Sequence, residues 1–70
     1  MAFKARVYLQ RRREIEAKYI GELDVEPRPV RYGRTTFTHA GKTETGRVDA
    51  VDPLDWDKTS IVPTIRVVQS

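Results

Sequence analysis

The absence of cysteine constrains this chain more than any other feature of its sequence. A domain of 70 residues buries only about 60–65% of its unfolded surface, and many domains of this size are held together by disulfides or zinc. A chain without cysteine can form neither a disulfide nor a cysteine-ligated zinc site. The fold must therefore rest on one hydrophobic core, built from eight Val, four Ile, three Leu, two Phe, one Trp and parts of three Tyr.

The first part of the chain alternates between two kinds of residue. Between residues 3 and 10 every second residue is apolar. A period of two with β-branched and aromatic members is typical of a half-buried strand. The pattern predicts one face with Phe3, Ala5, Val7 and Leu9, and an opposite face with Lys4, Arg6, Tyr8 and Gln10.

Residues 11–23 fit two structures. Apolar residues from Ile15 to Tyr19 alternate as in a strand, whereas Ile15, Tyr19 and Leu23 also have the spacing of a helix face. No Ser, Thr, Asp or Asn stands where it could cap such a helix. Gly21 would interrupt a helix but suits a bend or bulge in a strand. We therefore expect a strand in this segment, with Arg11, Arg12 and Arg13 forming either a turn before it or a continuation of it.

Pro27 and Pro29 mark the first long connection. Each proline removes a backbone donor and fixes φ, and each pushes the residue before it towards extended geometry. The sequence therefore predicts an extended, exposed loop over residues 24–33.

A hairpin is predicted between strands at residues 34–40 and 43–51. Gly41 supplies the positive φ that a two-residue type II′ turn requires at its first position. In that register Phe37 lies opposite Gly46, where an aromatic ring covers the space left by the missing side chain.

The last strand is predicted over residues 61–68, after a loop at residues 52–60. Pro63 indicates an edge position or a bulge near the start of this strand. Ile65 and Val67 share one of its faces, which we expect to be buried.

About five short strands with turns every 8–12 residues indicate an all-β fold. The prediction is one domain over residues 1–70, a small five-stranded barrel, with an SH3-like barrel as the first choice and an OB-like barrel as the second. Trp56 is expected to close one end of the barrel or to pack under its loop.

No apolar run approaches the ~18 residues that span a bilayer, and none follows the first basic residues as in a signal peptide. We therefore expect a cytoplasmic protein without a membrane partner.

Positive charge is concentrated in the first half of the chain. Residues 1–34 carry nine basic and five acidic groups, whereas residues 35–70 carry four and five, for a net charge of +3. Arginine binds phosphate through two parallel hydrogen bonds, and interleaved tyrosines can stack on bases. An ordinary solvated face fits the same charges. The functional interpretation predicts a nucleic-acid-binding surface composed of Lys4, Arg6, Tyr8, Arg11, Arg12, Arg13, Arg31 and Arg34.

Residues typical of catalysis or metal binding are few. His39 is the only histidine, and the predicted hairpin places Glu44 opposite it, which favours a surface pair over a catalytic one. Asp52, Asp55 and Asp57 lack the spacing of an EF-hand and fit loop turns. We therefore predict no enzymatic activity, no metal and no cofactor.

Two functions are consistent with these features. The first is a non-enzymatic binding module that contacts nucleic acid, or an acidic protein surface, through the basic N-terminal strip. The second is a structural subunit that forms a homo-oligomer, such as a homodimer, or docks onto a larger assembly. A second copy would cover an open sheet edge and add stability to a small core.

Overall fold

The computed structural model describes residues 2–69 and shows a closed barrel of five strands. The strands are β1 (Phe3–Gln10), β2 (Lys18–Glu26), β3 (Arg34–His39), β4 (Lys42–Asp52) and β5 (Thr64–Val68), with a short helix α1 (Trp56–Thr59) before β5. This architecture confirms the predicted all-β, five-stranded barrel.

The strands follow the chain in order around the barrel. Consecutive strands are antiparallel, and β5 closes the barrel by pairing with β1 in parallel. A meander with an odd number of strands must close in this way, because its first and last strands run in the same direction. The order differs from the Greek-key order of the OB fold.

The core confirms the predicted inward face of β1. Ala5, Val7 and Leu9 are buried, because alternate residues of a strand point to the same side of the sheet. Their partners in the core are Val25, Phe37, Val48, Val51, Ile65 and Val67. At one end of the barrel, Phe3 and Trp56 pack against this core. Their two rings meet edge to face, with centroids 6.0 Å apart. Trp56 thus lies against the barrel, as expected.

Two bulges bend the sheet. The register between β1 and β2 shifts beside Gly21, whose φ is 121°, which confirms the predicted role of this glycine. The register between β4 and β5 shifts at Asp49. A bulge bends its strand and increases the local twist, so both irregularities help the sheet to close.

The segment 11–23 forms a turn at the arginines and a strand from Lys18, as expected, but residues 14–17 do not belong to the strand. β2 begins only at Lys18, and Ile15 is 93% exposed. The reason is a local turn: the backbone N–H of Arg11 donates to Glu14 Oε1 at 2.8 Å, and the N–H of Glu14 donates back to the carbonyl of Arg11 at 3.0 Å. These bonds reverse the chain before a strand can start.

Two other predicted boundaries also shift. β2 continues to Glu26 before the proline-containing loop, and β5 begins at Thr64, directly after Pro63. A proline that comes before a strand removes no donor from the ladder. As predicted, Ile65 and Val67 on β5 are both buried.

The predicted hairpin forms, but its turn lies one residue earlier than expected. Ala40 and Gly41 occupy the two turn positions with φ values of 52° and 77°, and His39 lies opposite Lys42. Two positive φ values are typical of a type I′ turn, whose twist matches that of the flanking strands. The type II′ prediction was therefore wrong.

The earlier turn changes the partners across the hairpin. Phe37 lies opposite Glu44, and Gly46 lies opposite Thr35. The space at Gly46 is filled from β5 instead, because a Cβ added there would lie 2.5 Å from Val67 Cγ1. Gly46 therefore permits the close approach of β5, and the predicted aromatic cover from Phe37 is wrong.

Candidate nucleic-acid interface

The outer face of β1 carries Lys4, Arg6 and Tyr8, but its charge is compensated. In the β1–β2 register Lys4 lies opposite Asp24, and Arg6 lies opposite Glu22. Opposite charges at directly paired positions attract one another, and their fields largely cancel for an approaching phosphate. This part of the predicted surface is therefore close to neutral.

Tyr8 belongs to an aromatic patch. Its ring packs against Tyr19 with centroids 5.1 Å apart, and the two side chains are 39% and 53% exposed. Ile15 lies in the same shallow depression as Tyr8. On the other side of Tyr8, Arg66 forms an ion pair with Asp49. The Tyr8 ring is therefore packed against another ring, and its neighbour Arg66 is already bound by a carboxylate.

Arg11 is engaged within the fold. Its guanidinium pairs with Glu44 Oε2 at 2.8 Å, so Glu44 binds Arg11 and does not lie opposite His39 as predicted. The hydrogen bond from the Arg11 side chain, aided by one from Gln69, holds the pKa of Glu44 below its ordinary value. The backbone N–H of Arg11 likewise lowers the pKa of Glu14. Arg11 therefore fastens the loop after β1 to the barrel.

Three other arginines line one groove, which we call the basic groove. Arg34 on β3 and Arg47 on β4 occupy directly opposed register positions, and Arg12 lines the same groove from the loop after β1. The groove measures about 620 Å³. Arg13, the next residue of the loop, is exposed but does not line it. The structure thus brings together two predicted residues, Arg12 and Arg34, and a third that the sequence analysis missed.

No arginine of the basic groove forms an ion pair within residues 2–69. The ion pairs of this part of the chain involve Arg11, Lys18, Arg28 and Arg66 instead. Asp49 also lines the groove, but Arg66 binds its carboxylate. Like charges placed directly opposite each other across two strands are destabilising. The pair Arg34–Arg47 is therefore an unfavourable arrangement that an anion would relieve.

The hairpin register explains why Arg47 was missed. The predicted type II′ turn would have placed Arg34 opposite Asp49, which makes a neutral pair. The observed type I′ turn places Arg34 opposite Arg47 instead. Had Ala40-Gly41 been taken as the two-residue turn, the hairpin register would have placed Arg47 opposite Arg34 and identified the third arginine.

Comparison of the chain with protein-family models, with curated proteins and with solved structures finds no match. Function is therefore inferred from the geometry and charge of the basic groove and its surroundings.

Arg31 and Tyr32 lie on the loop that leads into β3, three and two residues before Arg34, and outside the residues that line the basic groove. The N–H of Tyr32 donates to the carbonyl of Val48, and the N–H of Val48 donates to the carbonyl of Gly33, both at 2.7 Å. These bonds hold the end of the loop alongside β4, next to Arg47 in sequence. The guanidinium of Arg31 lies 4.8 Å from the centroid of the Tyr32 ring. A planar, cationic and aromatic pair thus lies on a loop whose backbone is bonded to β4 at Val48, the residue after Arg47.

The loop that carries Asp52, Asp55 and Asp57 closes the end of the barrel where Phe3 and Trp56 pack. Asp57 pairs with Arg28, whose guanidinium also lies 5.4 Å from the Trp56 ring centroid.

Across residues 2–69, no three His, Cys, Asp or Glu side chains are grouped so that they could hold a metal ion. In the same part of the chain, no helix has the length and apolar character needed to cross a membrane.

Proposed function

We propose that this chain is a non-enzymatic binding module that holds nucleic acid by its phosphates in the basic groove. The observation that supports this function is the directly opposed pair Arg34–Arg47, joined by Arg12, with no carboxylate bound to any of the three within residues 2–69. A phosphate between them relieves their repulsion and accepts two parallel hydrogen bonds from a guanidinium. Such contacts position a strand without reading its sequence, so little sequence preference is expected.

The double variant Arg34→Ala/Arg47→Ala tests this function. We expect its affinity for nucleic acid to fall at least about tenfold at low salt, because two phosphate contacts are lost. The slope of log K against log salt concentration should become shallower by about 1.4 for a single strand. Fluorescence anisotropy of labelled single-stranded RNA and duplex DNA, titrated between about 50 and 200 mM salt, measures both quantities.

The matched control is Lys4→Ala/Arg6→Ala. It removes the same net charge from the outer face of β1, where Glu22 and Asp24 already compensate it. We expect this variant to bind almost as tightly as the wild type, with circular dichroism showing that both variants fold. Equal losses of affinity in the two variants, or binding that does not respond to salt, would refute a phosphate site in the basic groove.

Stability and binding should change in opposite directions when Arg47 is replaced by Glu. The substitution converts the repulsive pair with Arg34 into an attractive one across the two strands. We expect a melting temperature equal to or above that of the wild type, together with loss of nucleic-acid binding, as for other sites where function requires an unfavourable arrangement. Thermal unfolding and anisotropy on the same preparation measure the two effects. A clear fall in melting temperature would contradict the inferred repulsion.

The second candidate function is self-association. The closed barrel leaves less open sheet edge than the sequence suggested for a homodimer, because every strand has a neighbour on both sides; the edge that remains lies mainly between β2 and β3, which pair at two positions. The exposed patch of Tyr8, Tyr19 and Ile15 is the observation that still favours it. Light scattering of the wild type tests this function, since a mass above that of the 8.1 kDa monomer would support it.

A further inference from the structure

On the basis of the proposed function, we infer that the basic groove takes single-stranded nucleic acid in preference to duplex, with one base stacked on the Tyr32 side chain. Tyr32 lies outside the predicted surface. Its position, its exposure and its contact with Arg31 favour a stacking role.

Tyr32 is close to two groove arginines, to Arg34 along the chain and to Arg47 through its backbone bond to β4. It precedes Arg34 by two residues, and its backbone is hydrogen-bonded to Val48, the residue after Arg47. Its side chain is 64% exposed although it is large and aromatic. A phosphate held by the groove arginines therefore leaves the adjoining base within reach of this ring.

Arg31 strengthens the same platform. Its guanidinium lies over the Tyr32 ring, and planar guanidinium and aromatic groups are the two surfaces on which proteins stack unpaired bases. The exposed tyrosine pair, Tyr8 and Tyr19, is less suited to this role. Tyr8 and Tyr19 pack against each other. Of the arginines beside Tyr8, Arg6 lies opposite Glu22 and Arg66 is bound by Asp49.

Single strands are favoured because only they offer the face of a base. In a duplex each base is covered by its neighbours, so that Tyr32 has nothing to stack on without unstacking them.

The test compares three labelled probes of equal length, about 12 nucleotides: oligothymidylate, the same strand with abasic sites throughout, and a duplex. Anisotropy is measured with the wild type and with Tyr32→Ala. We expect the wild type to bind oligothymidylate more tightly than either other probe. Tyr32→Ala should weaken oligothymidylate binding by about tenfold, within the range known for one stacked base, and leave abasic-strand binding unchanged.

Two further variants separate stacking from structure. Tyr32→Phe keeps the ring and should bind as the wild type does. Tyr32→Asn removes the ring but readily adopts the φ of 71° found at this position, so it replaces Tyr32→Ala if that variant does not fold. Tyr19→Ala removes another exposed tyrosine ring, 53% against 64% for Tyr32, that does not line the groove, and should have no effect.

The outcomes distinguish the two proposals. If Tyr32→Ala and Tyr32→Asn bind oligothymidylate like the wild type, or if the duplex binds as tightly as the single strand, the stacking role of Tyr32 is refuted while the phosphate site stands. If no probe binds in a salt-dependent way, or if Arg34→Ala/Arg47→Ala leaves binding unchanged, the phosphate site fails and the stacking role fails with it.

Discussion

Replacement of Ile65 by Ala is expected to lower the free energy of unfolding by about 2–5 kcal/mol. Ile65 is fully buried and lies between Val7 on β1 and Val51 on β4. Truncation leaves a cavity that these neighbours cannot fill, because the closed ladder of strands holds them apart. A chain of 70 residues has a total stability of about 4–10 kcal/mol. The variant should therefore lose a large share of its stability, or be partly unfolded at 25 °C.

Ile15→Ala is the matched control, because it deletes the same atoms from a side chain that is 93% exposed. We expect its free energy of unfolding to remain within about 0.5 kcal/mol of the wild type. Urea denaturation followed by circular dichroism gives both values, provided that the slope of free energy against urea is the same for all variants. Similar losses at the two positions would contradict the location of Ile15 outside the core.

Gly46→Ala should have the second large effect, a loss of about 1–3 kcal/mol or more through overpacking. The added Cβ would lie 2.5 Å from Val67 Cγ1 and 3.0 Å from the carbonyl oxygen of Val68. Val67 is fully buried and its β-branched side chain has few alternative rotamers. The strand backbone at Val68 cannot retreat without breaking its pairing with β1 and β4.

A double-mutant cycle identifies the cause of this effect. Val67→Ala removes the atom that the new Cβ would strike, so Gly46→Ala/Val67→Ala should lose less stability than the two single variants together. The expected interaction energy is about 0.5–3 kcal/mol, the range for residues in contact. Strictly additive losses, again from urea denaturation, would show that the clash with Val67 is not the reason glycine is required at position 46.

Gly46 also connects the fold with the candidate site. It lines the basic groove beside Arg47, and the absence of its side chain lets β5 approach β4 at that point. The hairpin turn at Ala40-Gly41 has a comparable double role, since it sets the register that brings Arg34 opposite Arg47. Residues without functional groups thus determine where the functional groups meet.

Local patterns were sufficient for most of the architecture. The alternation over residues 3–10 predicted β1 and its buried face, because burying the opposite face of the strand would expose Val7 and Leu9 to solvent. Glycine identified the hairpin and the bulge at Gly21, since both require backbone conformations that other residues adopt at a cost. The exclusion of residues 14–17 from β2 was not predictable in this way. It depends on the hydrogen bonds between Arg11 and Glu14 and on the ion pair that Arg11 forms with distant Glu44.

The sequence by itself determined the number of strands, the inward faces of β1 and β5 and the excess of arginine. Only the tertiary structure decided which of those arginines are neutralised and which face each other. The physical reason lies in the period of a strand. Moving a hairpin register by two residues keeps every side chain on its face, so the burial pattern in the sequence cannot distinguish the two registers. It nevertheless changes every cross-strand partner, and here it replaces Asp49 by Arg47 opposite Arg34.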